Sequence, residues 1–287
     1  MVSMLKWRYI HNLGPSLAYR AKRLPLSGEA ARVLSELDLN GVAITSAGAL
    51  MQSESLFGEL KATVDELEND LSDQIAGTRA AANDPEGWKT FLLELLGKRP
   101  VLDPNSIYVR FALNNPILQI ANAYFRMCTV IRYYNVWHNF PTRLPARDSQ
   151  LWHRDPGDLY MLKVFVHLSD VDEGAGPFIY AARTHPKGQV RRRPGSIDPH
   201  NQVKRSDDYQ MAQVIEPEKW IKGIGPAGTI IFADTRGYHK GGWARDRDRI
   251  MYVCMFNSKA TKYPESFGRP RSISTPLDRE QAFAISP

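Results

Sequence analysis

Apolar residues recur at helical spacing through the first third of the chain and in short β-rich runs after it, so the pattern changes character near residue 129. Ser27 precedes Val33, Leu34 and Leu37, and Asn40-Gly41 follows them, which predicts a short helix capped at its start and stopped by glycine. Residues 41–45 then predict a short strand. Leu56, Leu60, Val64, Leu67 and Leu71 form one stripe, with Glu59, Asp65, Glu66 and Asp70 elsewhere, and predict a core-facing helix, a dimer seam being the alternative. Trp88, Phe91, Leu92, Leu95 and Leu96 predict a further helical face ended by Gly97 and Pro100. Residues 115–127, around Ile117, Ile120 and Tyr124, extend this helical layer.

Beyond residue 129 the predicted strands are 129–136, 160–168, 177–181, 228–233 and 249–256, split by turn residues and without intervening long helices. That favours an antiparallel sandwich or barrel over βαβ units. The expected fold class is mainly β with a helical outer layer (α+β). We expect one domain over 1–287: helical support with an N-terminal arm over 1–128, a β core over 129–257 and a C-terminal extension over 258–287. The stretch 186–222 is too long for a simple hairpin and predicts a flap.

Composition narrows the options. Two cysteines, Cys128 and Cys254, exclude a disulfide framework or a Cys-based zinc cluster and suggest a reducing, cytoplasmic setting. No run approaches the roughly 18 apolar residues of a membrane span. Most of the net charge of +6 lies in residues 1–28, where Lys6, Arg8, Arg20, Lys22 and Arg23 meet no acid. Trp7, Tyr9, Leu13, Leu17 and Tyr19 are interleaved with these bases, which reads either as a peripheral membrane anchor over residues 1–25 or as an arm packed across the barrel. A second basic stretch runs from Arg183 through Arg191, Arg192 and Arg193 to Arg205, either attracting anions or forming a solvated loop.

Two histidines stand in telling surroundings. If His153 ends a strand in Trp152-His153-Arg154-Asp155-Pro156-Gly157, then His153 and Asp155 project to one side and offer an imidazole nitrogen and a carboxylate oxygen to one point. His239 sits in the glycine-rich turn Gly237-Tyr238-His239-Lys240-Gly241-Gly242, after an apolar strand. Two imidazoles and one carboxylate make the facial triad of non-haem iron oxygenases, which leaves positions open for a bidentate 2-oxo acid and dioxygen. Satisfied polar residues at strand ends are the alternative. Arg249 opens the last apolar strand, and an inward guanidinium there would grip a carboxylate bidentately. Pairing with Asp246 or Asp248 is the bland reading, and Arg245 or Arg247 are rival grips.

The stretch 153–158, then Leu162-Lys163-Val164-Phe165-Val166, Asp170-Val171-Asp172-Glu173, Gly176-Pro177-Phe178, Thr184-His185 before a Lys-Gly pair, and Phe232 through His239 together resemble the phytanoyl-CoA dioxygenase family over roughly 129–257. The resemblance implies a double-stranded β-helix (jelly-roll) core and use of Fe(II), 2-oxoglutarate and dioxygen. It matches His153, Asp155 and His239 to the iron ligands and Arg249 to the distal carboxylate of 2-oxoglutarate. Ala182-Arg183 departs from the Pro-Gly of many relatives, which puts the adjacent loop in doubt. Because Asp155 is present, hydroxylation is favoured over halogenation, with succinate and CO2 released.

Tyr133, Asn135, Gln150 and Lys163 are further candidates for the cofactor pocket, with inward packing the alternative. Trp152, Arg183 and Arg191 are candidates for substrate contact. His167 reads as a core histidine. The expected substrate is a small or carrier- or lipid-linked molecule of anionic character, with no nucleic acid partner. The competing functions are a jelly-roll zinc hydrolase and a non-enzymatic anion- or nucleic-acid-binding module.

Overall fold

The computed structural model describes residues 4–22, 25–87, 89–197 and 204–287. A short N-terminal segment, Met4–Lys6 and the π-helical turn Trp7–His11, runs into α1 (Leu13–Lys22). Then come α2 (Gly28–Asn40), β1 (Val42–Ser46), α3 (Ser55–Asp70), α4 (Ser72–Ala81), β2 (Leu92–Glu94), α5 (Ile107–Ala112) and α6 (Asn115–Phe125). The second half holds β3 (Val130–Asn139), β4 (Leu162–His167), β5 (Phe178–Ala181), α7 (Asp208–Ala212), β6 (Trp220–Gly223), β7 (Thr229–Asp234), β8 (His239–Lys240), β9 (Arg249–Asn257) and α8 (Arg279–Ala284).

The strands form a six-stranded sheet in the order β1-β7-β4-β9-β3-β2 and a three-stranded sheet in the order β6-β5-β8, with every pairing antiparallel. Period-two alternation gives the large sheet two different sides. One side turns Val164, Val166, Ile230, Phe232, Tyr252, Cys254 and Phe256 towards a helical layer that supplies Val33, Leu37, Leu60, Val64, Ile117, Ile120 and Tyr124. Ala284 and Ile285, at the end of α8, join that same layer. The other side turns Phe165, Ile231, Ala233, Met251 and Val253 inwards, against Phe178 and Tyr180 of the small sheet. The Phe165 and Phe178 rings meet across the interior at 4.7 Å between centroids.

The C-cap of α2 follows the sequence. Gly41 adopts φ +81 and returns its N–H to the Leu37 carbonyl, and its two neighbours in the chain are the last helical residue and the first strand residue. The apolar face at residues 88–97 does not become a helix. Residues 92–94 pair with β3, Phe140 N–H donates to Phe91 O, and Leu95 N–H donates to Val136 O, so an open sheet edge captures the segment. Trp88 lies outside the described residues, as do Arg23, Asp198 and His200. The described part of the stretch 186–222 carries α7 and the start of β6.

Candidate metal centre

His153 does not end a strand. It makes a single bridge with His239, each backbone N–H donating to the other's carbonyl at 3.0 Å. A second bridge pairs Trp152 with Ser206, and Asp155 N–H donates to Thr235 O at 2.9 Å. The H-x-D turn is thus held by the segment that leads into His239, and the two imidazole rings stand 4.3 Å apart. One ligand atom each from His153, Asp155 and His239 lie within 4.8 Å of one another. His153 Nε2 is 3.9 Å from Asp155 Oδ1 and His239 Nε2 is 3.8 Å from Asp155 Oδ2. Two donors each about 2.1 Å from one ion span at most about 4.2 Å, so these pairs can share a metal.

The ring protons are placed for that purpose. His153 Nδ1 lies 2.8 Å from Leu151 O and His239 Nδ1 lies 3.1 Å from Gly237 O. A carbonyl only accepts, so Nδ1 carries the proton and each Nε2 lone pair faces Asp155. Burial first, then the neighbouring His239, pushes the His153 imidazole down to about 3, and burial lowers His239 as well. Burial works to raise the Asp155 carboxyl, but Lys163 above all, then His239 and His153, hold it below the usual carboxylate range. Two neutral imidazoles and an ionised carboxylate are the protonation states a divalent first-row metal requires.

Arg249 occupies the same interior. It alternates with Met251 and Val253 on the inward side of β9, and Phe178 of that cluster lies 5.6 Å from the His239 ring. The guanidinium is 2% exposed, and its Nε and Nη1 have no hydrogen-bond partner. Burial pushes it down to about 10. Asp248, one of the two carboxylates that could have satisfied it, instead binds Arg79 and His138, and Asp246 is exposed. Of the rival grips, Arg247 reaches Asp172 at 3.1 Å on the surface, and Arg245 is exposed beside Trp243. A buried, unpartnered guanidinium is costly unless an anion completes it.

The other candidates receive different neighbours. Lys163 Nζ is 2.7 Å from Asp155 Oδ2, so the anion it meets is the carboxylate of the triad. Tyr133 O–H donates to Glu94 Oε1 at 2.6 Å and accepts from Trp137 Nε1. Asn135 is occupied at both ends of its amide, accepting from Leu96 N–H and donating to Gly97 O, which pins the β2 edge instead of reaching a ligand. Gln150 accepts from Arg147 N–H in a local cap. Trp152 is fully buried against Trp220, with Nε1 donating to Asp208, and is a packing residue. Arg191 donates to His185 O and Pro186 O of its own loop. Arg183 and Arg192 instead line a groove of about 620 Å³ with Asn40, Ala182, Ile215 and Lys219. His167 is fully buried and neutral, pushed down to about 4 by burial and next by the charge of Arg249.

Sequence reasoning missed two arginines. Arg236 donates to the Asp155 carbonyl, holding the ligand's backbone from the far side of the bridge. Arg205 donates to Asp148 O at 2.6 Å, and its charge helps keep both imidazoles neutral. Their signal was their place in the motif before His239 and at the end of the basic stretch. Gly237 is spatially required, since a Cβ there would sit 1.9 Å from the Tyr180 hydroxyl.

No protein-family profile and no curated protein sequence matches the chain. Solved structures do match its fold. AviO1 from Streptomyces viridochromogenes Tue57 is 17% identical with a TM-score of 0.53, covering 83% of this chain and 98% of that one. SnoK, described as a non-heme alpha ketoglutarate dependent carbocyclase from nogalamycin biosynthesis, is 18% identical with a TM-score of 0.52, covering 89% of this chain and 95% of that one. EctD from S. alaskensis, solved with 2-oxoglutarate and 5-hydroxyectoine, is 15% identical with a TM-score of 0.55, covering 96% of this chain and 93% of that one. At these identities the likeness establishes the fold, a jelly roll of mostly antiparallel sheet with helices. The phytanoyl-CoA dioxygenase resemblance remains one of motifs.

Proposed function

We propose that this chain is an Fe(II)- and 2-oxoglutarate-dependent oxygenase that hydroxylates an unactivated C–H bond of a small or carrier- or lipid-linked organic substrate. The observation that carries the reading is Arg249: an unpartnered buried guanidinium facing the interior that also receives His153, Asp155 and His239. A zinc hydrolase needs the three donors but has no use for the arginine. The matched folds include a carbocyclase described as alpha ketoglutarate dependent and a protein solved with 2-oxoglutarate, which supports the same direction.

His153 Nε2, His239 Nε2 and the Asp155 carboxylate would hold the iron, and the Leu151 and Gly237 carbonyls orient the two rings by accepting their Nδ1 protons. Arg249 would bind the distal carboxylate of 2-oxoglutarate through its two unpaired donors. With iron, 2-oxoglutarate and dioxygen bound, the group supplies an oxidant strong enough for C–H bonds, releasing succinate and CO2. The chain's own part is geometric and electrostatic. Phe165, Phe178, Met251 and Val253 keep water from the interior, while Lys163 holds the Asp155 proton off. Asp155 fills the third protein position, which leaves no protein vacancy for a halide and favours oxygen insertion.

Arg183 and Arg192 on the groove would meet an anionic part of the substrate, beside Glu218 and the Lys219–Glu216 ion pair in the same lining. Aerobic incubation with Fe(II) and 2-oxoglutarate, read as succinate release across a substrate panel, tests the reading. Succinate release that requires His153, Asp155, His239 and Arg249 supports it. Hydrolysis of an ester or amide that survives Arg249→Ala would replace it with the hydrolase.

A further inference from the structure

The N-terminal arm is docked and yet presents apolar side chains outwards. Trp7 is buried, its Nε1 donating to Asp158 Oδ1 at 2.6 Å. Asn12 is buried too, donating to Trp7 O and accepting from Ala260 N–H, and Cys128 N–H donates to Pro15 O. Arg8 donates to Phe125 O at 3.0 Å. These contacts fix the arm against the body and decide which side faces away. Leu5, Tyr9, Leu13 and Leu17 recur every four residues, a stripe along the sequence that crosses the Met4–Lys6 turn, the π-helical turn and the start of α1, and are 68%, 50%, 45% and 52% exposed. Met4 and Ile10 flank them at 42% and 66% exposed. Six of the eleven large exposed apolar side chains among the described residues therefore fall within Met4–Leu17. The remaining five, among them Leu39, Val101 and Ile273, are scattered along the chain and form no such cluster in sequence.

The charges beside this stripe point to its occupant. Lys6, Arg20 and Lys22 are exposed on the arm, and residues 1–28 contain no acid. A second copy docking stripe to stripe on a two-fold axis would bring the same bases against each other, a like-charge contact. A surface of anionic lipid satisfies both halves at once: acyl chains receive the leucines and the phosphate or carboxylate headgroups meet the rim of bases. We propose that the Met4–Lys22 arm is a peripheral membrane anchor that seats the protein on anionic bilayers, with Leu5, Tyr9, Ile10, Leu13 and Leu17 entering the interface. No helix among the described residues is long and apolar enough to cross a membrane, so the contact is one of surface seating. The proposal rests on the arm alone and stands or falls apart from the oxygenase reading.

Co-sedimentation of the full chain with vesicles of phosphatidylcholine, with and without about one-third phosphatidylserine, tests it at low and physiological salt. The account predicts binding to the anionic vesicles, weakened by salt, and weak binding to the neutral ones. Leu5→Ser, Ile10→Ser, Leu13→Ser and Leu17→Ser together should reduce anionic binding about tenfold or more. Arg20→Glu with Lys22→Glu should reduce it and remove its salt dependence. All six side chains are exposed, so unchanged melting temperatures should certify that the variants fold. Equal binding by the wild type and the serine variant, or equal affinity for neutral and anionic vesicles, overturns the proposal. So does a dimer in sedimentation velocity that the serine substitutions dissociate, which would make a second copy the occupant.

Discussion

His153 and His239 exchange both backbone hydrogen bonds, N–H to carbonyl at 3.0 Å in each direction, although 86 positions separate them in the chain. One bridge thus joins the two imidazole ligands of the candidate centre directly. Because each ring also gives its Nδ1 proton to a carbonyl two residues earlier, ring orientation is set by backbone rather than by neighbouring side chains. Replacing either histidine should abolish tight metal binding while leaving the fold. Metal analysis of purified His239→Ala, beside its circular dichroism spectrum, checks this; full metal occupancy in that variant would contradict it.

Lys163 shares Asp155 with the metal. Its ammonium, 2.7 Å from Oδ2, neutralises a buried carboxylate before an ion arrives and opposes the ion afterwards. Lys163→Met should therefore destabilise the metal-free protein by about 1–3 kcal/mol, because a buried charge loses its partner. The same change should tighten divalent metal binding several-fold. Thermal melts with and without saturating metal separate the two effects, and the deficit should vanish in the metal-bound form. A variant weakened in both forms would show Lys163 to be packing rather than a counter-charge.

His138 gives the fold a pH dependence of its own. Its imidazole lies between Glu68, 2.7 Å from Nδ1, and Asp248, 2.5 Å from Nε2, in a site that also receives Arg79. Burial opposes the charge, but the hydrogen bonds to Asp248 and Glu68 raise the pKa above its ordinary 6.5. The folded state thus binds this proton more tightly than the unfolded chain. The resulting stability is complete below pH 6.5 and is lost as pH rises through the raised folded value. Urea melts should show stability falling above pH 6.5 by at most about 1.4 kcal/mol per pH unit from this group. His138→Gln should flatten that slope, and an unchanged slope would assign it elsewhere.

Much of this architecture was legible because it depends on local chemistry. The Asn40-Gly41 stop, the α3 stripe and the short apolar, β-rich runs of β4, β7 and β9 each announce themselves within a few residues. His153, Asp155 and His239 were legible as a set because their residue types suit one ion. Their means of convergence was not legible, since a bridge and the Thr235 carbonyl bring them together where the sequence pattern puts His153 at the end of a strand. The segment 88–97 was misread because Phe91, Leu92, Leu95 and Leu96 have helical spacing, while the β3 edge that claims them lies some forty residues away. Asn135 illustrates the same limit: a polar residue beside a ligand segment also suits the task of holding a sheet edge.

Arg183 shows how a departure in sequence is absorbed. It adopts the left-handed backbone, φ +64, a conformation that glycine takes at less cost. Its N–H donates to Asn40 O and its carbonyl accepts from Val190 N–H, so the loop enforces that conformation. Arg183→Gly should relieve strain with a net gain of about 0.5–1 kcal/mol after the entropic cost of glycine. In a chain of this size that is about 1–2 °C in Tm by calorimetry. A loss of stability would mean that the arginine side chain contributes more than its backbone costs.

The central claim is that Arg249 and the His153–Asp155–His239 triad together make a site for iron and 2-oxoglutarate. Its most direct test is anaerobic titration of 2-oxoglutarate into the Fe(II)-loaded protein, followed by the weak visible charge-transfer absorption of the chelate, for wild type and Arg249→Met. The account predicts a saturable band in the wild type. In the variant the band should require about 100-fold more 2-oxoglutarate, because a buried charged hydrogen-bonded pair is lost. The variant's metal-free Tm should be equal or higher, since an unpartnered buried guanidinium is gone. No band in the wild type, or the same titration curve for both proteins, would contradict the claim.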